Sequence, residues 1–195
     1  MEKSIEERVT ELEKIVKNLS GEKCVKISKN LSVGDTFQLA DMTWKILDIT
    51  EKGYLCLADR LPEDMDFGGN NDWKESTIRE YLNGEFFEQI SDAVGEENII
   101  QFERNIISLD GQTEYGTCED KVSLISFDEY RKYRSLIPNT GDYYWWTLTP
   151  DSTKCNDDTR LVRVVSPSGC IGSSYCSCNF GVRPVCIFSS LIFES

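Results

Sequence analysis

Cysteine is the residue in this sequence best equipped for chemistry, and half of the eight cysteines fall in one stretch. Cys155, Cys170, Cys176 and Cys178 lie between Thr147 and Phe180, among Asp, Asn, Ser, Thr and Gly. Three chemistries are open to the stretch. Structural zinc takes four ligands, commonly as two chelating pairs about two to four residues apart. The chain has no histidine and no C-x-x-C, only Cys176-Ser177-Cys178, so zinc fits poorly. A cysteine or serine nucleophile is usually activated by a neighbouring base, most often histidine, and none is present. Calcium would take oxygen ligands from Asp151, Asp157 and Asp158, but no spaced Asp/Asn array accompanies them. The residues therefore nominate no catalytic group, no metal ligand and no cofactor.

The same stretch reads better as a surface. Glu, Gln, Lys, Met and Trp make up roughly one in five residues of the chain, yet Thr147–Phe180 holds one of them, Lys154. Two bulky aromatics, Trp145-Trp146, open it, and Gly181-Val182-Arg183-Pro184 closes it on a proline-fixed turn. Tyr, Ser, Asn and Gly are what adaptable binding surfaces use, tyrosine for area at low entropy cost and the small residues for hydrogen bonds. The candidate ligand-binding residues are Tyr143, Tyr144, Asp151, Ser152, Lys154, Cys155, Asn156, Asp157, Arg160, Ser168, Cys170, Ser173, Ser174, Tyr175, Cys176, Ser177, Cys178 and Asn179. Trp145, Trp146 and Arg183 read instead as core, as do Trp73 and Arg79. Tyr143 and Tyr144 are open between packing and surface.

The whole chain limits the partners. At 195 residues it suits one domain with an appended helix. A net charge of −13 without any basic patch argues against nucleic acid, which is held by clustered Lys and Arg. No apolar run is long enough to span a bilayer, and Met1–Glu7 lacks the apolar core of a signal peptide. The expectation is a cytoplasmic product as synthesised, with phage-particle or cell-surface display open, and free thiols in a reducing compartment. The ligand expected is a protein or other macromolecule.

These residues need elements to hold them. Ile5, Val9, Leu12, Val16 and Leu19 recur at a/d spacing and predict an amphipathic helix over 1–20, which docks on its own domain or pairs copies into a homo-oligomer. The domain proper runs over 33–195. Thr36–Leu39, Thr43–Ile49 and Tyr54–Ala58 predict a meander of strands. Asp72-Trp73-Lys74-Glu75 and Ser126-Phe127-Asp128-Glu129 both fit capping boxes that open helices, the first weakened or bent at Gly84. Asn98–Leu109 reads as a strand, Asp110–Asp120 as a loop, Lys121–Ile125 as a short buried strand and Val185–Phe193 as an apolar last strand. The fold class is α+β.

Several landmarks now line up. Trp73-Lys74-Glu75-Ser76-Thr77-Ile78-Arg79-Glu80-Tyr81-Leu82-Asn83, then Leu124–Glu129, Trp145–Pro150 and Gly181–Pro184 follow Trp44–Leu47 in order. Over Val33–Ile187 the chain resembles a widespread uncharacterised bacterial domain family. Its signature is W-x-x-S-x-x-R-x-x-L-N, L-x-S-x-x-E, W-W-x-x-(S/T)-P and G-V-R-P. That family is similar to the C-type-lectin-like fold of diversity-generating retroelement variable proteins, and distantly to formylglycine-generating enzymes. The resemblance implies two helices, terminal strands paired with each other and a small carboxyl-end sheet whose loops contact ligand. Thr147-Leu148-Thr149 departs from the family's more usual Leu-Arg-Ser. In retroelement variable proteins, template adenines are randomised, and an AAY codon then becomes NNY, which never encodes Glu, Gln, Lys, Met or Trp. The resemblance thus implies a variable region over 147–180 in a non-catalytic binding module. The alternatives are a carbohydrate-binding lectin-like domain and a formylglycine-generating oxidase using a cysteine pair.

Overall fold

The computed structural model describes Ile27 and residues 31–193. The helix predicted over 1–20, and self-association through it, lie outside the described residues. β1 (Thr36–Leu39), β2 (Met42–Thr50) and β3 (Gly53–Ala58) form the expected antiparallel meander. Ala40 and Asp41 turn the first hairpin with left-handed φ values of 50° and 60°, the conformation that two-residue hairpins need. β2 carries a bulge between Ile46 and Asp48 that leaves Leu47 without an opposite residue in β3.

β4 (Met65–Asp66) leads to a 3-10 turn over Trp73–Glu75, then α1 (Thr77–Asn83) and α2 (Glu85–Val94). The first capping box is corrected. Asp72 caps only the 3-10 turn, accepting from Lys74 N at 3.0 Å, and Ser76 caps α1 by accepting from Arg79 N at 3.0 Å. Glu75 does not reach back, because Asn70 Nδ2 engages its carboxylate at 2.7 Å. Gly84, at φ −110° and ψ −108°, does more than bend the helix: it separates α1 from α2.

The predicted strand 98–109 is two short ones, β5 (Ile99–Ile100) and β6 (Phe102–Asn105). The predicted loop 110–120 supplies β7 (Thr117–Asp120), which pairs with β6. β8 (Val122–Ser123) precedes α3 (Phe127–Lys132), whose Ser126–Glu129 capping box is complete. Among the described residues three α-helices stand where the resemblance implies two.

β9 (Trp145–Pro150), β10 (Leu161–Val165) and β11 (Ile171–Tyr175) make a three-stranded antiparallel sheet, and β12 (Asn179–Phe180) pairs with β4. The last strand, β13 (Val185–Phe188), stops earlier than predicted because Ser190–Phe193 turns into a 3-10 helix. It does not pair with β1 but with β3, and also with β5 and β8. Gly53 makes this junction possible: at φ +141°, a Cβ there would lie 2.2 Å from the Phe188 carbonyl oxygen.

Both faces of the large sheet are buried, which alternation alone could not tell. Trp44, Ile46, Cys56, Cys186 and Phe188 face the main core with the helices, while Leu47, Leu55, Leu57, Val185 and Ile187 face a second cluster with Tyr130, Tyr133 and Trp145. The architecture is α+β, mostly strands in small sheets.

Candidate functional site

The β9–β10–β11 sheet carries the candidate residues. Its inner face (Trp146, Leu148, Val162 and Val164) belongs to the main core. Trp146 joins three strands, its indole donating to the Met65 carbonyl at 2.8 Å and its ring meeting Phe67 and Phe180 at 5.6 and 5.0 Å. On the outer face, α3 covers one half, with Tyr130 edge-on to Trp145 at 5.7 Å and donating to the Gly169 carbonyl at 2.8 Å. The other half is open and bears Arg163, Ser173 and Tyr175. Asp151 accepts from Arg163 at 2.7 Å and from Ser173 Oγ at 2.6 Å, and Arg163 also meets Ser173. Asp151 is thereby committed to an internal ion pair.

The loop between β9 and β10 is held from outside the stretch. Asn71, fully buried, donates to the carbonyls of Ser152 at 3.1 Å and Leu161 at 3.0 Å, and its own amide N–H donates to Thr159 O at 2.8 Å. Its side-chain oxygen accepts from Tyr115 OH at 2.7 Å. Asp110 accepts from Ser152 Oγ at 2.7 Å, from Asn156 Nδ2 at 2.8 Å and from Ser108 Oγ. Hydrogen bonds from Ser108 and then Ser152 hold the Asp110 carboxyl below its ordinary value. Glu114 accepts from Cys155 N at 3.1 Å, and the Cys155 and Thr153 side chains lower it similarly. Asp157 closes the loop in a left-handed conformation, φ 53°. Removing the Asn71 side chain, as in Asn71→Ala, takes the amide donor from the Ser152 carbonyl and the acceptor from the Tyr115 hydroxyl, while Leu161 O keeps Asp151 N at 2.9 Å, a loss of about 1–3 kcal/mol. Chemical denaturation measures it, and faster amide exchange in 151–160 should accompany it.

The structure sorts the candidates by exposure. Tyr144, Lys154, Cys155, Asn156, Asp157, Arg160, Ser168, Cys170, Ser173, Tyr175, Ser177 and Asn179 are exposed, while Tyr143, Asp151, Ser174 and Cys178 are partly covered. Ser152 and Cys176 are corrected: both are buried, at 7% and 5% exposure. Ser152 is turned onto Asp110. Cys176 points to the main core while its backbone bonds to Arg160 O at 2.7 Å and to Phe67 N at 2.8 Å. Tyr143 lies under the Arg60 guanidinium, 4.7 Å from its ring centre. Arg183 is buried, donating to Ala58 O at 3.0 Å and stacked 5.1 Å from Trp145. Trp73 and Arg79 converge on buried Asp120, at 2.7 and 2.8 Å.

The thiols with displaced acidities move the wrong way for a nucleophile, which needs a lowered value. Burial raises Cys56, Cys176 and Cys186, and burial with the nearby Asp120 charge pushes Cys118 up to about 11. Among the described residues no three His, Cys, Asp or Glu side chains are grouped to hold a metal ion. No helix among them is long and apolar enough to cross a membrane.

Fold and site together define an α+β domain in which a small sheet, one edge sunk in the core, carries polar loops braced by residues far away in sequence. The chain belongs to the family described as a domain of unknown function, DUF6273, whose model matches residues 45–190. That span runs from β2 through β13 and includes every landmark motif from Trp73 to Pro184. No curated protein and no solved structure matches the chain.

Proposed function

We propose that this domain is a non-catalytic binding module on a C-type-lectin-like frame, presenting the exposed residues of 147–180 to a protein ligand. It would then be the variable protein of a diversity-generating retroelement. One observation carries the reading: the exposed side chains of the stretch hang on loops fixed by residues that are buried or lie outside it. Asn71, Asp110, Tyr115, Phe67 and Trp146 supply the bracing. Cys155, Asn156, Ser173, Tyr175, Ser177 and Asn179 supply exposed area. Burial weakens the acidity of the Cys56, Cys118, Cys176 and Cys186 thiols, the opposite of what a nucleophile needs.

The test has two arms. A display library randomised at those six exposed positions should remain folded, each change costing within about 0.5 kcal/mol, and should yield binders to unrelated proteins. Loss of folding across the library, or the absence of any binder, rejects the module. The second arm is the flanking DNA, where a reverse transcriptase and a near-identical template repeat are expected. Codons for Cys155, Asn156, Ser173, Tyr175 and Asn179 that fail to align with template adenines reject diversification. Cys176, being buried, is expected to lie outside the varied set.

A further inference from the structure

The two edges of the β9–β10–β11 sheet are treated differently. The β9 edge is sealed by the rest of the domain: Trp146 N bonds to Gly181 O at 3.1 Å, Leu148 N to Ile125 O at 3.1 Å, and Leu109 N to Pro150 O at 2.9 Å. Among the described residues nothing pairs with the β11 edge. Ser166 N to Cys170 O at 2.8 Å and Cys176 N to Arg160 O at 2.7 Å bracket the β10–β11 ladder and fix its phase. Gly172 and Ser174 therefore bond inward to β10. The backbone N–H groups of Ile171, Ser173 and Tyr175, and the carbonyls of Ile171 and Ser173, point away from the sheet. Among the described residues none of these five groups has a partner, whereas the Tyr175 carbonyl accepts from Cys178 N at 2.9 Å. Natural sheets usually guard such an edge with lysine, proline or a bulge. The sequence Ile171-Gly172-Ser173-Ser174-Tyr175 has none of these.

Resting on the binding-module reading, we infer that β11 is a docking edge that takes an extended peptide segment of the protein ligand as a fourth strand. Unpaired donors and acceptors recurring at every second residue match the spacing of another strand. The peptide's outward side chains would lie beside Ile171 and Tyr175, the latter 56% exposed, so β-branched or aromatic residues suit those positions. Basic residues suit the rest, because the chain carries −13 and opposite charge speeds and orients encounter. The same charge disfavours a second copy of this chain on the edge, and a five-residue strand covers far less than the ~800 Å² per partner of a stable dimer.

A random heptapeptide library displayed on phage and selected against the full chain tests this. The expected winners alternate β-branched or aromatic residues with Lys or Arg. A synthetic winner should bind Ser173→Pro at least about tenfold more weakly than Ser173→Ala, which loses the same side chain but keeps the outward N–H. Proline there removes an outward N–H while leaving the β10 ladder intact. Should Ser173→Pro unfold, amide exchange on the parent still decides: peptide should protect Ile171, Ser173 and Tyr175 and leave Gly172 and Ser174 unchanged. Winners that bind Ser173→Pro equally, or that protect other amides, overturn the edge while leaving the module standing. A selection that enriches nothing also overturns the edge, and the randomised display library independently judges the module. Sedimentation showing self-association that Ser173→Pro abolishes would assign the edge to a second copy and overturn the peptide.

Discussion

Glu129→Ala is expected to destabilise the domain by about 3–5 kcal/mol, the cost of leaving the buried Arg104 guanidinium without its half-buried carboxylate partner. Arg104 is 4% exposed. Its two terminal nitrogens donate to the two Glu129 oxygens at 2.7 and 2.5 Å, one of them also to Leu124 O at 2.9 Å, and its face lies 5.0 Å from the Phe102 ring centre. Its Nε is buried without a hydrogen-bond partner, so the guanidinium already has less than full satisfaction. Alanine would leave that charge unpaired and also break the α3 capping box, in which Glu129 accepts from Ser126 N at 2.7 Å. Urea denaturation at pH 7 measures the loss. A cost below about 1 kcal/mol, typical of an exposed pair, would show that Arg104 reaches water.

The same pair sets an acid limit. Burial by itself would raise the Glu129 carboxyl, but the Arg104 charge and the hydrogen bonds from Arg104 and Ser126 bring it below its ordinary 4.5. The unfolded chain therefore binds this proton more readily than the folded one. The pair's contribution is fully present above about pH 4.5 and disappears as pH falls through the lower folded value. Stability measured against pH should slope through this range in the parent, and the slope should flatten in Glu129→Gln.

Trp146→Ala is expected to cost about 3–5 kcal/mol, through lost burial and a cavity that its neighbours cannot fill. The side chain is fully buried and bridges β9 to β4 and β12. Trp146→Phe separates two contributions: it keeps most of the contact with Phe67 and Phe180 but removes the buried indole donor to the Met65 carbonyl, for about 1–3 kcal/mol. Thermal and chemical unfolding of the two variants would rank them. Equal, small losses would mean that the paired tryptophans are surface residues after all.

What the sequence made legible was local. The Ser126–Glu129 box needs three residues of spacing and nothing else, and it forms as read. The meander strands and the burial of Trp145, Trp146 and Arg183 were equally accessible, since pattern and residue size suffice. The Asp72 box misled because the chain inserts a 3-10 turn and restarts at Ser76, a choice made by burial of Trp73 against Asp120 rather than by capping spacing. Asn71 could not be found at all: its partners Ser152 and Leu161 lie 81 and 90 residues away, and an asparagine in a Gly-Asn run looks like a turn. Ser152 and Cys176 were misplaced on the surface because composition gives no direction. Strand parity sends Tyr175 outward and its neighbour Cys176 inward, and only the phase of the β10 ladder reveals it.

The bracing of the β9–β10 loop by Asn71, Asp110, Glu114 and Tyr115 has a consequence for how such a chain can age over generations. Stability and identity are written in different places. Natural domains hold roughly 5–15 kcal/mol in reserve against unfolding. An exposed change at Cys155 or Tyr175 draws on that reserve by a few tenths of a kcal/mol, whereas one at Trp146 or Glu129 can consume a third of it. Lineages of this domain should therefore drift quickly along one rim while their interiors stay recognisable. Tolerance would be set by residues that never touch what the rim touches.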